Sequence, residues 1–175
     1  MHRRNILGVA GTLVLGLALV PGVANAQQKS IKDQLAGTWT LLLVDGVNVD
    51  GTHAPLYGPN PEGILIVSPS GHYAAEIMRS DRKPFASNDP LTGTAAENKA
   101  FAAGTFSFFG SLTVDEPAKT INFRVEASAF PNWENTTQKR IVTAITDEVL
   151  TYKSGSPVIP AQGFDHNEVV WKKVK

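Results

Sequence analysis

From residue 36 onward, short runs rich in Val, Ile, Thr, Phe and Tyr are separated by clusters of Gly, Pro, Asn and Asp, the pattern of strands and turns. The run Ala36-Gly37-Thr38-Trp39-Thr40-Leu41-Leu42-Leu43 opens the series. Gly37 permits a tight turn, and Trp39 starts a strand with a side chain large enough to act as a structural plug at one end of a small barrel. This first strand is expected over residues 38–44, ended by Asp45-Gly46. The connection over 47–61 is long enough that a lid or binding loop is its expected use. Strands are expected at 63–67 and 72–78, joined through Pro69-Ser70-Gly71. After an irregular stretch over 79–93, Thr94-Ala95-Ala96-Glu97 has capping-box spacing. It predicts one short helix over 95–103, ended by Gly104 and docked through Phe101.

Five further strands are expected at 105–114, 120–128, 137–146, 148–153 and 166–174, which makes eight from Trp39. Sequential hairpins at this spacing predict an all-β fold: an antiparallel up-and-down barrel of about eight strands with one short helix inserted. Closure removes the exposed edges that the alternative, an open β-sandwich, would keep.

The first 26 residues follow a different pattern. Met1-His2-Arg3-Arg4 is basic, Ile6 to Val20 is apolar, Pro21-Gly22 breaks the run, and Ala24-Asn25-Ala26 has the small-x-small form of a signal-peptidase site. Residues 1–26 are therefore expected to be a cleaved signal peptide and residues 27–175 one barrel domain, periplasmic or secreted. General secretion is the expected route, although Arg3-Arg4 also fits a twin-arginine signal. The apolar run falls short of the roughly 20 residues that span a bilayer, so no stable membrane insertion is expected after cleavage. Removing Arg3 and Arg4 leaves fourteen basic against sixteen acidic residues, a net charge of −2. That balance gives no electrostatic case for nucleic acid. The chain has no Cys, so packing and not disulfides must stabilise it.

Several blocks, met in order, resemble a known group. They are Leu35-Ala36-Gly37-Thr38-Trp39, Asn60-Pro61-Glu62-Gly63-Ile64-Leu65, Pro69-Ser70-Gly71-His72-Tyr73 and Phe109-Gly110-Ser111, followed by Thr113-Val114-Asp115, Phe130-Pro131-Asn132-Trp133, Gln138-Lys139-Arg140 and Val170-Trp171. The set is similar to the bacterial and fungal lipocalin-like domain family and spans essentially the whole mature chain. The resemblance implies a lipocalin-type barrel around a small-molecule cavity. Two positions depart from the family: Phe123-Arg124 stands where members often carry two His, and Lys173 where they often carry Arg. No role attached to those basic groups is carried over.

Candidate chemistry rests on side-chain parity. If the loop over 129–137 closes symmetrically, Glu126 faces Arg140, and if 115–119 closes the preceding hairpin, Phe108 faces Glu126 and Gly110 faces Arg124. One face then holds Phe106, Phe108, Arg124, Glu126 and Arg140, and the other holds Phe109, Ile121, Phe123, Val125 and Ile141. With the second face inside, Glu126–Arg140 is a solvated surface pair worth about 0.2–1 kcal/mol. With the first face inside, Phe106, Phe108, Arg124, Glu126 and Arg140 form a ligand site suited to an apolar body with an anionic oxygen. Both assignments are open at this level. His2, His53, His72 and His166 have no ligand spacing, so no metal is expected, and no motif calls for a cofactor. Trp133 is expected either folded onto the barrel end or at a cavity rim.

The resulting expectation is an exported protein that binds a small apolar or amphipathic molecule. The alternatives are a cofactor-free isomerase or cyclase with Glu126 as base and Arg124 or Arg140 stabilising an oxyanion, and an envelope protein with a packed interior. An interior void of about 300 Å³ or more is what a drug-sized ligand needs.

Overall fold

The computed structural model describes residues 29–154 and 163–175; the expected leader lies outside the described residues. In order, the elements are α1 (Ile31–Leu35), β1 (Gly37–Val47), β2 (His53–Pro55), β3 (Glu62–Val67), β4 (His72–Met78), α2 (Ala95–Gly104), β5 (Thr105–Asp115), β6 (Thr120–Ser128), a 3-10 turn (Pro131–Trp133), β7 (Thr137–Ile145), β8 (Val149–Ser154) and β9 (His166–Lys173). From β3 to β9 each strand pairs antiparallel with the next, and β1 pairs with both β3 and β9. Eight strands thus close into an up-and-down barrel, with β2 added along β1. This is the expected barrel and not the open sandwich.

The strand β1 is longer than its sequence predicts. It continues through Asp45-Gly46 because both of its flanks are paired there, Gly46 facing Ala54 of β2 and Asn167 of β9. Tertiary pairing overrides a local turn signal.

Following the strands up and down separates two unlike ends. The turns after β3, β5 and β7 are short and lie at one end, with α1 across it. Ser30 caps α1, and the Glu116 carboxylate accepts the Ile31 and Lys32 amides at 3.0 Å each. Trp39 is fully buried here; its indole Nε1 donates to the Leu35 carbonyl at 2.9 Å. The Lys173 ammonium lies 4.8 Å from the Trp39 ring centroid and donates to the Gln34 carbonyl at 2.6 Å. This end is closed.

The connections after β1, β4 and β6 all lie at the other end, and they are long. The one after β4 holds α2. Phe101 does not dock the helix onto the sheet as expected; half-exposed, it meets Phe85 of its own connection edge-to-face at 6.1 Å. An Ala-rich helix has no wide apolar stripe to bury. Its capping box and Glu97, which accepts the Ala86 amide at 2.8 Å, hold the segment together.

Inside the barrel, Tyr73, Phe108, Leu112, Ile121, Phe123, Val125 and Leu150 are buried. Aromatic rings form a ladder from the open end inward: Trp133–Phe106 at 4.7 Å, Phe106–Phe108 at 5.5 Å, Phe108–Tyr73 at 5.7 Å and Tyr73–Phe123 at 4.7 Å. Such tilted and edge-on pairs add about 0.5–1.5 kcal/mol each beyond area burial.

Candidate functional site

The open half of the barrel holds a partly enclosed cavity of about 70 Å³. Phe106 and Phe108 of β5, Arg140 and Gln138 of β7, Tyr152 and Ser154 of β8, and Asn167 and Val169 of β9 line it from the strands. Leu56 and Tyr57 from the connection after β2, and Trp133 from the 3-10 turn, line it from the loops. Strand alternation delivers every second residue to this surface, and the loops add the rim.

Trp133 does both things the sequence allows. Its turn folds onto the barrel end, leaving the residue only 6% exposed, and its ring forms part of the cavity wall. Pro131 begins the turn, and the Trp133 carbonyl accepts the Thr136 hydroxyl at 2.6 Å. The indole Nε1 of Trp133 is buried without a hydrogen-bond partner among the described residues. Few buried donors in folded proteins are left so.

Arg140 passes beneath this indole, its guanidinium carbon 5.6 Å from the ring centroid. Its hydrogen bond within the chain runs from Nη1 to the Lys139 carbonyl at 2.8 Å. Among the described residues no carboxylate pairs with it, and no Asp, Glu or His lines the cavity. Burial depresses the guanidinium below its ordinary value, opposed by the nearby Tyr152 and Tyr73 phenols, and arginine remains a cation at any working pH. Burial pushes the phenols of Tyr152, Tyr73 and Tyr57 up, so each is a neutral hydroxyl. Tyr152 accepts the Trp171 indole N–H at 3.0 Å, which leaves its own proton to donate. The cavity is thus rich in donors and positively charged.

The structure brings together three of the five residues expected at a site and separates two. Phe106, Phe108 and Arg140 line the cavity, whereas Arg124 and Glu126 point outward and are exposed. The expected Glu126–Arg140 pair is not formed: Arg140 faces Ile121, and Arg124 faces Thr137. Two irregularities displace the register. The β5–β6 ladder jumps from Phe109↔Ala127 to Gly110↔Val125, so Glu126 bulges out unpaired. The loop to β7 then closes asymmetrically over the 3-10 turn. Arg124 reaches the Asn135 carbonyl on the outside of the barrel. With Glu126 outside, the isomerase reading loses the base it assigned. His72 and Glu76 share the outer face of β4 and are exposed.

Sequence reasoning missed Leu56, Tyr57, Tyr152 and Asn167 as lining residues. The length of the connection after β1 was the available signal for the first two, and strand parity for the others.

A closed antiparallel barrel with long loops over a lined cavity at one end defines a lipocalin-type protein. The profile of the lipocalin-like domain family matches residues 36–174, and the chain belongs to that family. It is similar to the 4'-hydroxy-3'-methoxypropiophenone carrier protein of Aspergillus oryzae, 27% identical over 107 residues that cover 58% of this chain and 96% of the relative. Among solved structures it is similar to a lipocalin-like protein from Bacteroides uniformis, with 13% identity, a TM-score of 0.44, and coverage of 81% of this chain and 99% of the other. A redesigned β-barrel is similar at 14% identity and a TM-score of 0.41, covering 84% and 100%.

Proposed function

We propose that the protein is a carrier that holds a small, largely apolar aromatic molecule in the open half of its barrel. The observation that carries this is the wall of Trp133, Phe106 and Phe108 around a cavity directly beneath the long loops. Aromatic walls with a few fixed polar groups are what small-molecule sites are made of. The Aspergillus relative, named as a carrier of an aromatic ketone, supports the same class of cargo.

Size bounds the cargo. The cavity, about 70 Å³, is well below the ~300 Å³ of a drug-sized site and below the ~150 Å³ that admits a benzene ring. A ring therefore enters only if the rim yields. Trp133 on its short turn and Tyr57 on its long connection are the rim groups, and moving them needs no break in the barrel ladder.

Titration of the mature chain with acetophenone and 4'-hydroxy-3'-methoxypropiophenone, followed by calorimetry, tests the reading. Saturable binding is expected in the parent and its loss in Val169→Phe, which fills the cavity from β9, with circular dichroism confirming the fold. Absence of saturable binding in the parent, or unchanged binding in Val169→Phe, would overturn it in favour of a packed envelope protein.

The carrier is proposed to act outside the cytoplasm, as a periplasmic or secreted protein, on the leader pattern ending in Ala24-Asn25-Ala26. Intact mass of protein recovered from the periplasm or medium should correspond to a chain beginning at Gln27; retention of Ile6 to Val20 would refute export by cleavage.

A further inference from the structure

We propose that this cavity selects aromatic molecules bearing an oxyanion, seated between the Arg140 guanidinium and the Trp133 indole N–H, over their neutral isosteres. The inference rests on the carrier reading above and adds the charge of the cargo.

Two independent features point to it. First, the lining has one full charge and, among the described residues, no acid to balance it. Arg140 sits on the inner face of β7, opposite Ile121, with one hydrogen bond to a carbonyl of its own strand. A guanidinium has five N–H donors, so several of them have no acceptor among the described residues. Glu126, the acid nearest in sequence on the neighbouring strand, is carried to the outer face by the bulge. The polar groups that do line the cavity, Gln138, Ser154, Asn167 and the Tyr152 phenol, are all neutral.

Second, the Trp133 indole N–H is a buried donor with no acceptor among the described residues. Buried polar groups are almost always paired, and a donor left over in a cavity wall is a place where a bound molecule can supply the acceptor. It belongs to the same wall as Arg140, whose guanidinium carbon lies 5.6 Å from its ring. An acceptor that satisfies both must carry lone pairs and negative charge: a carboxylate or phenolate oxygen meets this, a hydrocarbon or an amine does not. Size agrees with this placement. A cavity of about 70 Å³ is of head-group dimensions, so the oxyanion occupies existing space against Trp133 while the ring displaces Tyr57 from the rim.

The test compares 4-methoxybenzoate with 4-methoxybenzamide, near-isosteres that differ in charge, by calorimetric titration at neutral pH. The parent should bind the acid roughly 10- to 100-fold more tightly than the amide, the range of a charge-assisted contact. Arg140→Met should abolish that preference while the amide still binds, and Arg140→Lys should keep part of it. Trp133→Phe retains a ring but no donor and should weaken the acid more than the amide. Equal affinity of the parent for acid and amide, or a preference that survives Arg140→Met, would overturn the inference. The two readings fail differently. If acetophenone binds and the acid shows no advantage, only the charge selectivity falls. If no aromatic of either kind binds, the carrier reading falls and takes this inference with it.

Discussion

Removing the indole at the closed end is the sharpest test of how the barrel is held shut. Trp39 is fully buried, donates its N–H to the Leu35 carbonyl at 2.9 Å, and lies under the Lys173 ammonium at 4.8 Å. Truncating a buried aromatic to Ala costs about 3–5 kcal/mol, because α1 and the surrounding strands collapse only partly into the space. Net domain stability is about 5–15 kcal/mol, so Trp39→Ala should forfeit a large fraction of it. With a urea slope of about 2 kcal/mol/M, the midpoint should fall by about 2 M at unchanged slope. Trp39→Phe separates the contributions. It keeps a ring beneath Lys173 but leaves the Leu35 carbonyl without its donor, and should cost about 1–2 kcal/mol. A cycle with Lys173→Met should give a coupling of about 0.5–2 kcal/mol between cation and ring. Urea denaturation of the parent, the three single variants and the Trp39→Ala/Lys173→Met double variant measures all of these. If Trp39→Ala unfolds within 1 kcal/mol of the parent, the closed end is not held by this side chain, and a zero coupling would remove Lys173 from the account. Trp39 does not line the cavity, so Trp39→Phe should bind aromatic ligands like the parent.

Three further outcomes follow from the geometry. Glu126→Gln and Arg124→Met, both on the outer face, should each leave ligand affinity unchanged and stability within about 0.5 kcal/mol in urea melts; a change in ligand affinity would place them back in the site. Gly110→Ala should destabilise by about 1–3 kcal/mol, since an added Cβ would run into the Arg124 carbonyl across the bulge, and a neutral result would show that the bulge can relax. The Ala86 amide first, and then the Thr94 amide and hydroxyl, hold the Glu97 carboxyl below its ordinary value of 4.5. A depressed folded value means the tie is fully present above 4.5 and is lost as pH falls through the folded value. Amide exchange in α2, corrected for its intrinsic pH dependence, should therefore accelerate as the solution is acidified below 4.5, and Glu97→Gln should flatten that dependence; an acid-insensitive helix in the parent would contradict it.

How far the site could be read in advance varied from residue to residue. Phe106 and Phe108 share parity with each other whatever happens elsewhere, since both lie on β5, and both face the cavity. Arg140 was singled out, but with the wrong partner. Its expected neighbour Glu126 lies on another strand, and two strands are related only through the turn and the ladder between them. One extra residue at the bulge and an asymmetric loop over the Pro131–Trp133 turn were enough to move Glu126 and Arg124 outside while Arg140 remained inside. Phe101 failed for a related reason: a helix built largely of Ala gives no sign of whether a sheet lies within its reach.

The sequence by itself determined the strand runs, the capping box of α2, the turn at Pro69-Ser70-Gly71 and the meander that makes an up-and-down barrel, because each depends on residues within a few positions of one another. The tertiary structure alone decided that β1 runs through Asp45-Gly46, which end of the barrel carries the cavity lining, and that an arginine meets an indole ring there with no carboxylate beside them among the described residues. Those outcomes depend on register. Register is set by where backbones approach closely enough to force a bulge, as at Gly110, and by which of two faces is cheaper to desolvate once all eight strands have closed.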